Sequence, residues 1–185
     1  MRKISLFMMV TANGFFEGRD HDISWHNADS MEFRDFAIQQ LDETDLIVFG
    51  RSTYEMMASF WPSDMARRLD PETAQRMNSK QKLIFTTTPL GIRWQNVEVS
   101  DNVPVRMREL KEQPGGDIIV LGSSGLCITL LKENLLDEVR VMVNPVVLDS
   151  GTPLFHGINQ PYNFELQRMR PFNDGNVLLT YKVIK

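Results

Sequence analysis

Hydrophobic positions along this chain come in blocks, and the period changes from block to block. Ile4–Val10 is a near-continuous apolar run, the pattern of a strand buried on both faces. Ala12-Asn13-Gly14 breaks it, and Gly18–Asp22 is a polar loop. Over Asn27–Leu41 the period lengthens: Phe33, Phe36, Ala37 and Leu41 fall on one helical face. Asp29 with Glu32 three residues later has the form of a capping box. Leu46–Phe49 predicts a second buried strand, which runs into Gly50-Arg51-Ser52-Thr53 and a helix over Tyr54–Phe60. Leu83–Thr86 predicts a third strand, followed by Thr87, Thr88 and Pro89, and Val97–Ser100 a short fourth. Val103–Glu112 is an amphipathic helix, closed by Pro114 and two glycines.

The next segment, GGDIIVLGSSGLCITLL, carries the first hint of chemistry. It reads as a turn at Gly115 and Gly116, a strand over Ile118–Leu121, a bend of small residues (Gly122, Ser123, Ser124, Gly125) and an apolar helix over Leu126–Lys132. A strand that delivers a side-chain-poor bend to a helix N-terminus aims free N–H groups and the positive end of the helix dipole at one spot. The spacing is neither GxGxxG nor a P-loop, so taken alone the bend also fits an ordinary strand-to-helix connection.

Beyond Leu136 the chain is β-rich. Val139–Leu148 is one long run with Pro145 inside it, a sign of a bend, an edge or a bulge. Asp149–Pro153 is a loop. Phe164–Arg170 and Val177–Ile184 alternate around Asn173-Asp174-Gly175, a hairpin signal. Strand–helix repeats followed by a hairpin predict an α/β fold. Its sheet is mostly parallel, with helices on both faces and an antiparallel addition at the C-terminal edge. No repeat or linker divides the 185 residues, so one domain over 1–185 is expected.

Charge and cysteine content narrow the function classes. The net charge is −4 and no basic stripe appears, which argues against a nucleic-acid partner. The one cysteine, Cys127, excludes an internal disulfide and sits in an apolar run, as a small buried hydrophobe would. His21, His26 and His156 lack metal-site spacing, so no metal is expected. The run ISLFMMV is too short for a secretory segment, and no apolar run reaches membrane-spanning length. A cytoplasmic protein with no membrane partner is the expectation.

In their order along the chain, the motifs resemble the dihydrofolate-reductase-like fold. They most resemble the branch that holds the reductase domain of bacterial riboflavin biosynthesis. Val10-Thr11-Ala12-Asn13-Gly14 is similar to that family's S-x-D-G turn. Gly50-Arg51-Ser52-Thr53-Tyr54-Glu55 resembles its G-R-x-T-x-E segment, and Leu110 through Gly125 its L-K-x-x-x-G-G-D-I-x-V-x-G-S segment. Leu136–Arg140, Pro145–Leu148 and Gly151–Phe155 resemble its D-E-L-R…P-V-V-L-G-x-G-x-P-L-F signature. Together these cover almost the whole chain.

The resemblance implies an NADPH-dependent reductase with its cofactor at the carboxyl ends of the parallel strands. Gly50 would let the backbone approach the cofactor. Arg51 would pair with the 2′-phosphate that separates NADPH from NADH. Ser52 belongs to the same turn, and Thr53 would bond a phosphate. Thr86 and Thr87 would line the adenine ribose. Gly122, Ser123, Ser124, Gly125 and Leu126 would hold the pyrophosphate. Read from the residues alone, Arg51 is equally a surface ion-pair partner and Thr53 an N-cap.

For the substrate, the implied walls are Val10, Thr11, Asn13, Phe16, Trp25, Phe33, Pro145 and Phe155, mostly apolar as a flat ring requires. Phe33 also suits core packing. Asn13 departs from the family, whose turn carries an Asp; an amide cannot donate and regain a proton at neutral pH. Glu32, next to Phe33, is then the candidate acid among the carboxylates, unless water serves. Arg19 and Arg34 are candidate partners for a substrate phosphate. No deaminase zinc motif is present.

The implied reaction is hydride transfer from NADPH to a small pterin-, aminouracil- or related heterocycle, similar to 5-amino-6-(5-phosphoribosylamino)uracil reductase. The second reading, supported by Asn13, is a nucleotide-binding module on the same fold with weak or lost catalysis. Relatives of this kind are often homodimers, and the Val177–Ile184 strand is a candidate edge for pairing across a two-fold axis.

Overall fold

A computed structural model describes residues 1–185. An eight-stranded sheet forms the centre. Its strands are β1 (Ile4–Thr11), β3 (Thr44–Gly50), β4 (Gln81–Phe85), β5 (Val97–Ser100), β6 (Asp117–Val120), β7 (Glu138–Asn144), β9 (Phe164–Pro171) and β10 (Val177–Val183). The spatial order is β5-β4-β3-β6-β1-β7-β10-β9. From β5 to β7 all neighbours are parallel; β10 runs antiparallel to β7, and β9 antiparallel to β10. A separate two-stranded ribbon pairs β2 (Phe15–Glu17) with β8 (Thr152–Pro153).

Six helices cover the sheet: α1 (Met31–Asp42), α2 (Arg51–Phe60), α3 (Asp64–Leu69), α4 (Pro71–Ser79), α5 (Val103–Glu112) and α6 (Ser124–Lys132). The unbroken apolar run of β1 is explained by its central place. Leu6, Met8 and Val10 pack with Met107 and Leu110 of α5 and Leu126, Cys127 and Leu130 of α6. On the other face Met9 joins Phe36 of α1, while Phe49 and Ile84 meet Tyr54 of α2 and Met77 of α4. Truncating one such side chain, for example Leu6→Ala, removes about 2–5 kcal/mol of stability.

Several predicted boundaries move, each for a local reason. Helix α1 begins at Met31, not Asn27, because Ser30 is its N-cap and accepts from the Phe33 N–H at 3.1 Å. Asp29 takes no part, so the predicted capping box is absent. The run predicted over Val139–Leu148 stops as a strand at Asn144: Pro145 has no N–H for the ladder. Strand β4 covers Gln81–Phe85 rather than Leu83–Thr86, and α6 takes in Ser124 and Gly125. Helices α3 and α4, capped by Ser63 and Asp70, lie in a stretch whose short polar periods gave no sequence prediction. The Val177–Ile184 strand is not an edge. As β10 it is paired on both sides, and β9 closes the sheet. No helix is long and apolar enough to cross a membrane.

Candidate functional site

The sheet order sets the carboxyl ends of β4, β3, β6, β1 and β7 side by side, so residues far apart in sequence become neighbours. The ends of β3 and β6 interlock. The Gly50 N–H donates to the Gly122 carbonyl at 2.9 Å. A Cβ on Gly50 would lie 2.6 Å from Ser123 Oγ, and one on Gly122 would lie 2.7 Å from Thr53 Oγ1. Gly122 has φ +117, which a side chain would strain in any case. The Gly50–Thr53 turn and the Gly122–Leu126 bend are therefore one surface.

Two helices start there, and their first turns differ from the others. The N-termini of α1, α3, α4 and α5 are closed by the side chains of Ser30, Ser63, Asp70 and Asn102. Those of α2 and α6, at Gly50 and Ser123, have no side-chain cap. Their first N–H groups are left for another acceptor, and two adjacent helix dipoles favour an anion there. Gly125 is exposed and has no atom nearer than 4.0 Å to a notional Cβ, so the floor of this surface is open. The donor set suits phosphate oxygens.

Arg51 adds a cation at the rim. Its Nε donates to Glu55 Oε1 at 3.0 Å, and its Nη1 to Thr88 Oγ1. The guanidinium thus joins the end of β3 to the loop after β4, with Nη2 making no hydrogen bond within the protein. The Glu55 carboxyl is held below its usual range by the Arg51 hydrogen bond, so it is ionised at neutral pH. Thr86 Oγ1 donates to the Thr88 carbonyl at 3.0 Å, and Thr87 beside it is exposed. Ser52 is exposed on the first turn of α2.

The other half of the strand ends is tied by amides. Thr11 Oγ1 donates to Asn13 Oδ1 at 2.8 Å and accepts from the Phe15 N–H at 3.0 Å. Asn13 Nδ2 donates to the Leu148 carbonyl at 2.8 Å, and its Oδ1 accepts from the Leu148 N–H at 3.3 Å. Asn13 therefore clasps the turn after β1 to the loop after β7, and both ends of its amide are engaged. An Asp in its place has no N–H for Leu148.

Asn144, fully buried at the end of β7, is a residue the sequence reading missed. Its Nδ2 donates to the Val10 and Met142 carbonyls, and its Oδ1 accepts from the Asn27 N–H at 2.9 Å. Asn27 Nδ2 reaches the Asp174 carbonyl at 3.1 Å, and Asn176 Nδ2 donates to the Asn27 carbonyl at 2.6 Å. This network holds the segment before α1 over the end of β7. An Asn immediately before Pro145, inside an apolar run, was the available signal.

The remaining predicted wall residues divide. Val10 and Thr11 are buried at the end of β1. Phe16 and Phe155 pack on the core below α5 and α6. Pro145 is exposed, and Gly175 of the β9–β10 turn rests against it. Trp25 lies edge-on to His26, with ring centroids 4.4 Å apart. Phe33 packs against Phe36, 6.2 Å between centroids, as its helical spacing foretold. Glu32 receives Arg170 Nη2 at 3.2 Å and the Asn173 N–H at 2.9 Å, so both oxygens bind the β9–β10 hairpin. Arg19 pairs with Asp149, and Arg34 donates to the Leu69 carbonyl.

His26 was also missed. Burial pushes its imidazole down to about 4, and Nε2 has no partner and no solvent contact. A further open cleft of about 570 Å³ lies at the amino ends of β4 and β5, lined by Arg67, Asn78, Arg93 and Trp94. It shares nothing with the strand-end surface.

Comparison with known proteins places the chain in a family. Residues 2–178 match the RibD C-terminal domain. The chain belongs to that family. It is 33% identical over 181 residues to the uncharacterized protein YyaP of Bacillus subtilis strain 168, covering 97% of this chain and 94% of that protein. In structure it resembles a diaminohydroxyphosphoribosylaminopyrimidine deaminase/5-amino-6-(5-phosphoribosylamino)uracil reductase of Thermotoga maritima. The TM-score is 0.72 at 16% identity, over 99% of this chain and 57% of that one. It also resembles a dihydrofolate reductase of Enterococcus faecalis complexed with NADP(H), with a TM-score of 0.66 at 15% identity over 99% and 97% of the two chains. The RibD C-terminal fold is thus a dihydrofolate-reductase-like fold, and the family places the chain among reductase-like proteins.

Proposed function

We propose that this protein is an NADPH-dependent reductase of a small heterocycle of pterin or aminouracil type. The observation that carries the reading is the pair of uncapped helix N-termini set side by side at Gly50 and Ser123. A dinucleotide pyrophosphate suits those free N–H groups. Arg51 Nη2, at the rim, would bind the 2′-phosphate, with Thr86 and Thr87 beside the adenine ribose. NADPH, when bound, supplies the hydride.

The chain's own residues would then bind and orient a flat substrate between Thr11, Trp25, Pro145 and Phe155. Asn13 holds this wall by joining the two loops rather than by moving a proton. Glu32 clamps the hairpin in the same way. The proton is accordingly assigned to water beside the substrate. The protein works in the cytoplasm, as a homodimer.

The test uses thermal shift with both nicotinamides. NADPH at about 100 times its Kd should stabilise the protein by about 2.7 kcal/mol. Arg51→Ala should weaken NADPH at least tenfold and leave NADH nearly unchanged. Equal losses for the two cofactors would remove Arg51 from the 2′-phosphate. Absence of any NADPH effect would sink the cofactor assignment. Cofactor binding without turnover over a panel of pterins and aminouracils would favour a nucleotide-binding module, the reading that Asn13 supports.

A further inference from the structure

The cleft at the amino ends of β4 and β5 has no residue in common with the strand-end surface, and its lining is selective. Its volume of about 570 Å³ suits a small metabolite. Only two of its ten lining residues are hydrophobic, so a polar ligand is favoured. The charged residues among the ten are Arg67 and Arg93, and no carboxylate lines the cleft. In a chain of net charge −4 this is a local excess of positive charge, which attracts anions.

One wall is a helical stripe. Pro71, Ala74, Gln75 and Asn78 recur along one side of α4. Glu72 and Arg76 lie off that stripe, and Arg76 pairs with Asp42 of α1 at 2.7 Å. The last carbonyls of a helix repel an anion. Here they are covered. The Asn78 carbonyl accepts from Lys82 Nζ at 3.3 Å and from Gln95 Nε2 at 2.8 Å, and the Ser79 carbonyl accepts from Asn96 Nδ2 at 2.9 Å. Lys82 is fully buried, its Nζ 4.4 Å from the centroid of the Trp94 ring, and it pairs with no carboxylate. Burial pushes its ammonium down to about 8, which leaves most of it charged at neutral pH.

The other wall is the loop between β4 and β5, and its backbone is pinned. Tyr54 O–H donates to the Ile92 carbonyl at 3.0 Å, and Trp94 Nε1 donates to Asn78 Oδ1 at 2.7 Å. Arg93 stands between these anchors, exposed, with no hydrogen bond or ion pair from its guanidinium to the rest of the chain. A free guanidinium on a fixed backbone is preorganised for an oxyanion. Arg67, on α3, gives one nitrogen to Asp64 at 3.0 Å and keeps the others. The Gln75 amide is unengaged, as is the Gln95 side-chain oxygen.

We propose that this cleft binds a small phosphate monoester that carries hydroxyl groups, its phosphate held by Arg67 and Arg93 and its hydroxyls by the Gln75 and Gln95 amides. A monoester is close to dianionic at neutral pH and offers three acceptor oxygens, which suits two guanidinium forks. The site stands whether or not the strand ends bind a nicotinamide.

Calorimetric titration of the full chain with glycerol 3-phosphate, in buffer free of phosphate, tests it. Binding with a Kd of about 0.1 mM is expected, with inorganic phosphate at least about tenfold weaker and glycerol silent. Arg93→Ala removes an exposed side chain without a partner, so the fold should survive while the affinity falls about 10-fold or more. Arg51→Ala, at the other end of the strands, should leave the Kd unchanged. Phenylglyoxal labelling read by mass spectrometry gives a second measure: the ester should shield Arg93 and leave Arg19 reactive. Absence of binding at about 10 mM ester would overturn the proposal. An unchanged Kd in Arg93→Ala, or an Arg93 that the ester does not shield, would do the same. Binding lost with Arg51→Ala would move the ester to the strand-end surface, and equal affinities for ester and inorganic phosphate would remove the hydroxyl contacts; either result also overturns it.

Discussion

Asn13 and Leu148 hold each other by two hydrogen bonds, side-chain N–H to carbonyl at 2.8 Å and backbone N–H to side-chain oxygen at 3.3 Å. A carboxylate at this position keeps the acceptor and loses the donor, and it sets a charge against the Leu148 carbonyl. Asn13→Asp is therefore expected to cost about 1–3 kcal/mol at pH 7. Protonation restores the donor, so the deficit should shrink below about pH 4. Chemical unfolding at pH 7 and pH 4 checks both parts. An Asp variant as stable as the parent at pH 7 would mean that the clasp contributes nothing.

Gly50 and Ser123 set how closely the loops after β3 and β6 approach. A methyl group on Gly50 meets Ser123 Oγ at 2.6 Å and the Ser123 nitrogen at 3.2 Å. Gly50→Ala should destabilise by about 1–3 kcal/mol through overpacking. Adding Ser123→Gly removes the closer contact and should recover part of the loss, so the two changes are non-additive. A urea-unfolding double-mutant cycle measures the coupling; strict additivity would contradict the contact.

His26 makes stability fall with acid. Burial holds its folded-state value near 4, against an ordinary value of about 6.5. Between those limits the unfolded chain binds the extra proton, so stability drops as pH falls from about 6.5 to about 4. The drop attributable to His26 is on the order of 1–3 kcal/mol. Melting curves of the parent and His26→Gln over this range should diverge, the variant losing less. Parallel curves would show that His26 titrates normally.

Cys127 should be silent. It is fully buried, and burial pushes its thiol up to about 12. Ellman's reagent should label the native protein no faster than the protein unfolds, and label it fully in denaturant. Prompt labelling of the native state would show an opening of α6 that its packing does not predict.

Glu32 separates a clamp from an acid. Glu32→Gln keeps an acceptor for the Asn173 N–H and weakens the pair with Arg170, at a cost of about 0.5–1 kcal/mol. Once a substrate is found, the acid limb of the pH–rate profile should survive this change. Its loss would return the proton to Glu32 and remove water from that role.

The succession of elements was legible in the sequence because it is local. The apolar run Ile4–Val10, the helical face of Phe33, Phe36 and Leu41, and the bend at Gly122–Gly125 each fix backbone period over a few residues. The ordered motifs around Gly50, Gly116 and Pro145 were enough to identify the family. Boundaries were less legible. Ser30, rather than Asp29, caps α1 because the cap goes to whichever oxygen meets the Phe33 N–H, a matter of ångströms rather than of residue type.

The tertiary structure alone decided the rest. Sheet order makes neighbours of Gly50 and Ser123 and places β10 inside the sheet. It also engages Asn13 with Leu148 and buries Asn144 beneath the segment before α1. The Gly50–Ser123, Asn27–Asn144 and Asn13–Leu148 contacts join residues 73, 117 and 135 positions apart, brought together by strand pairing and burial. Hydrophobic period can say that a strand is buried or half-buried. It cannot say which strand lies beside it, and the site is built from those neighbours.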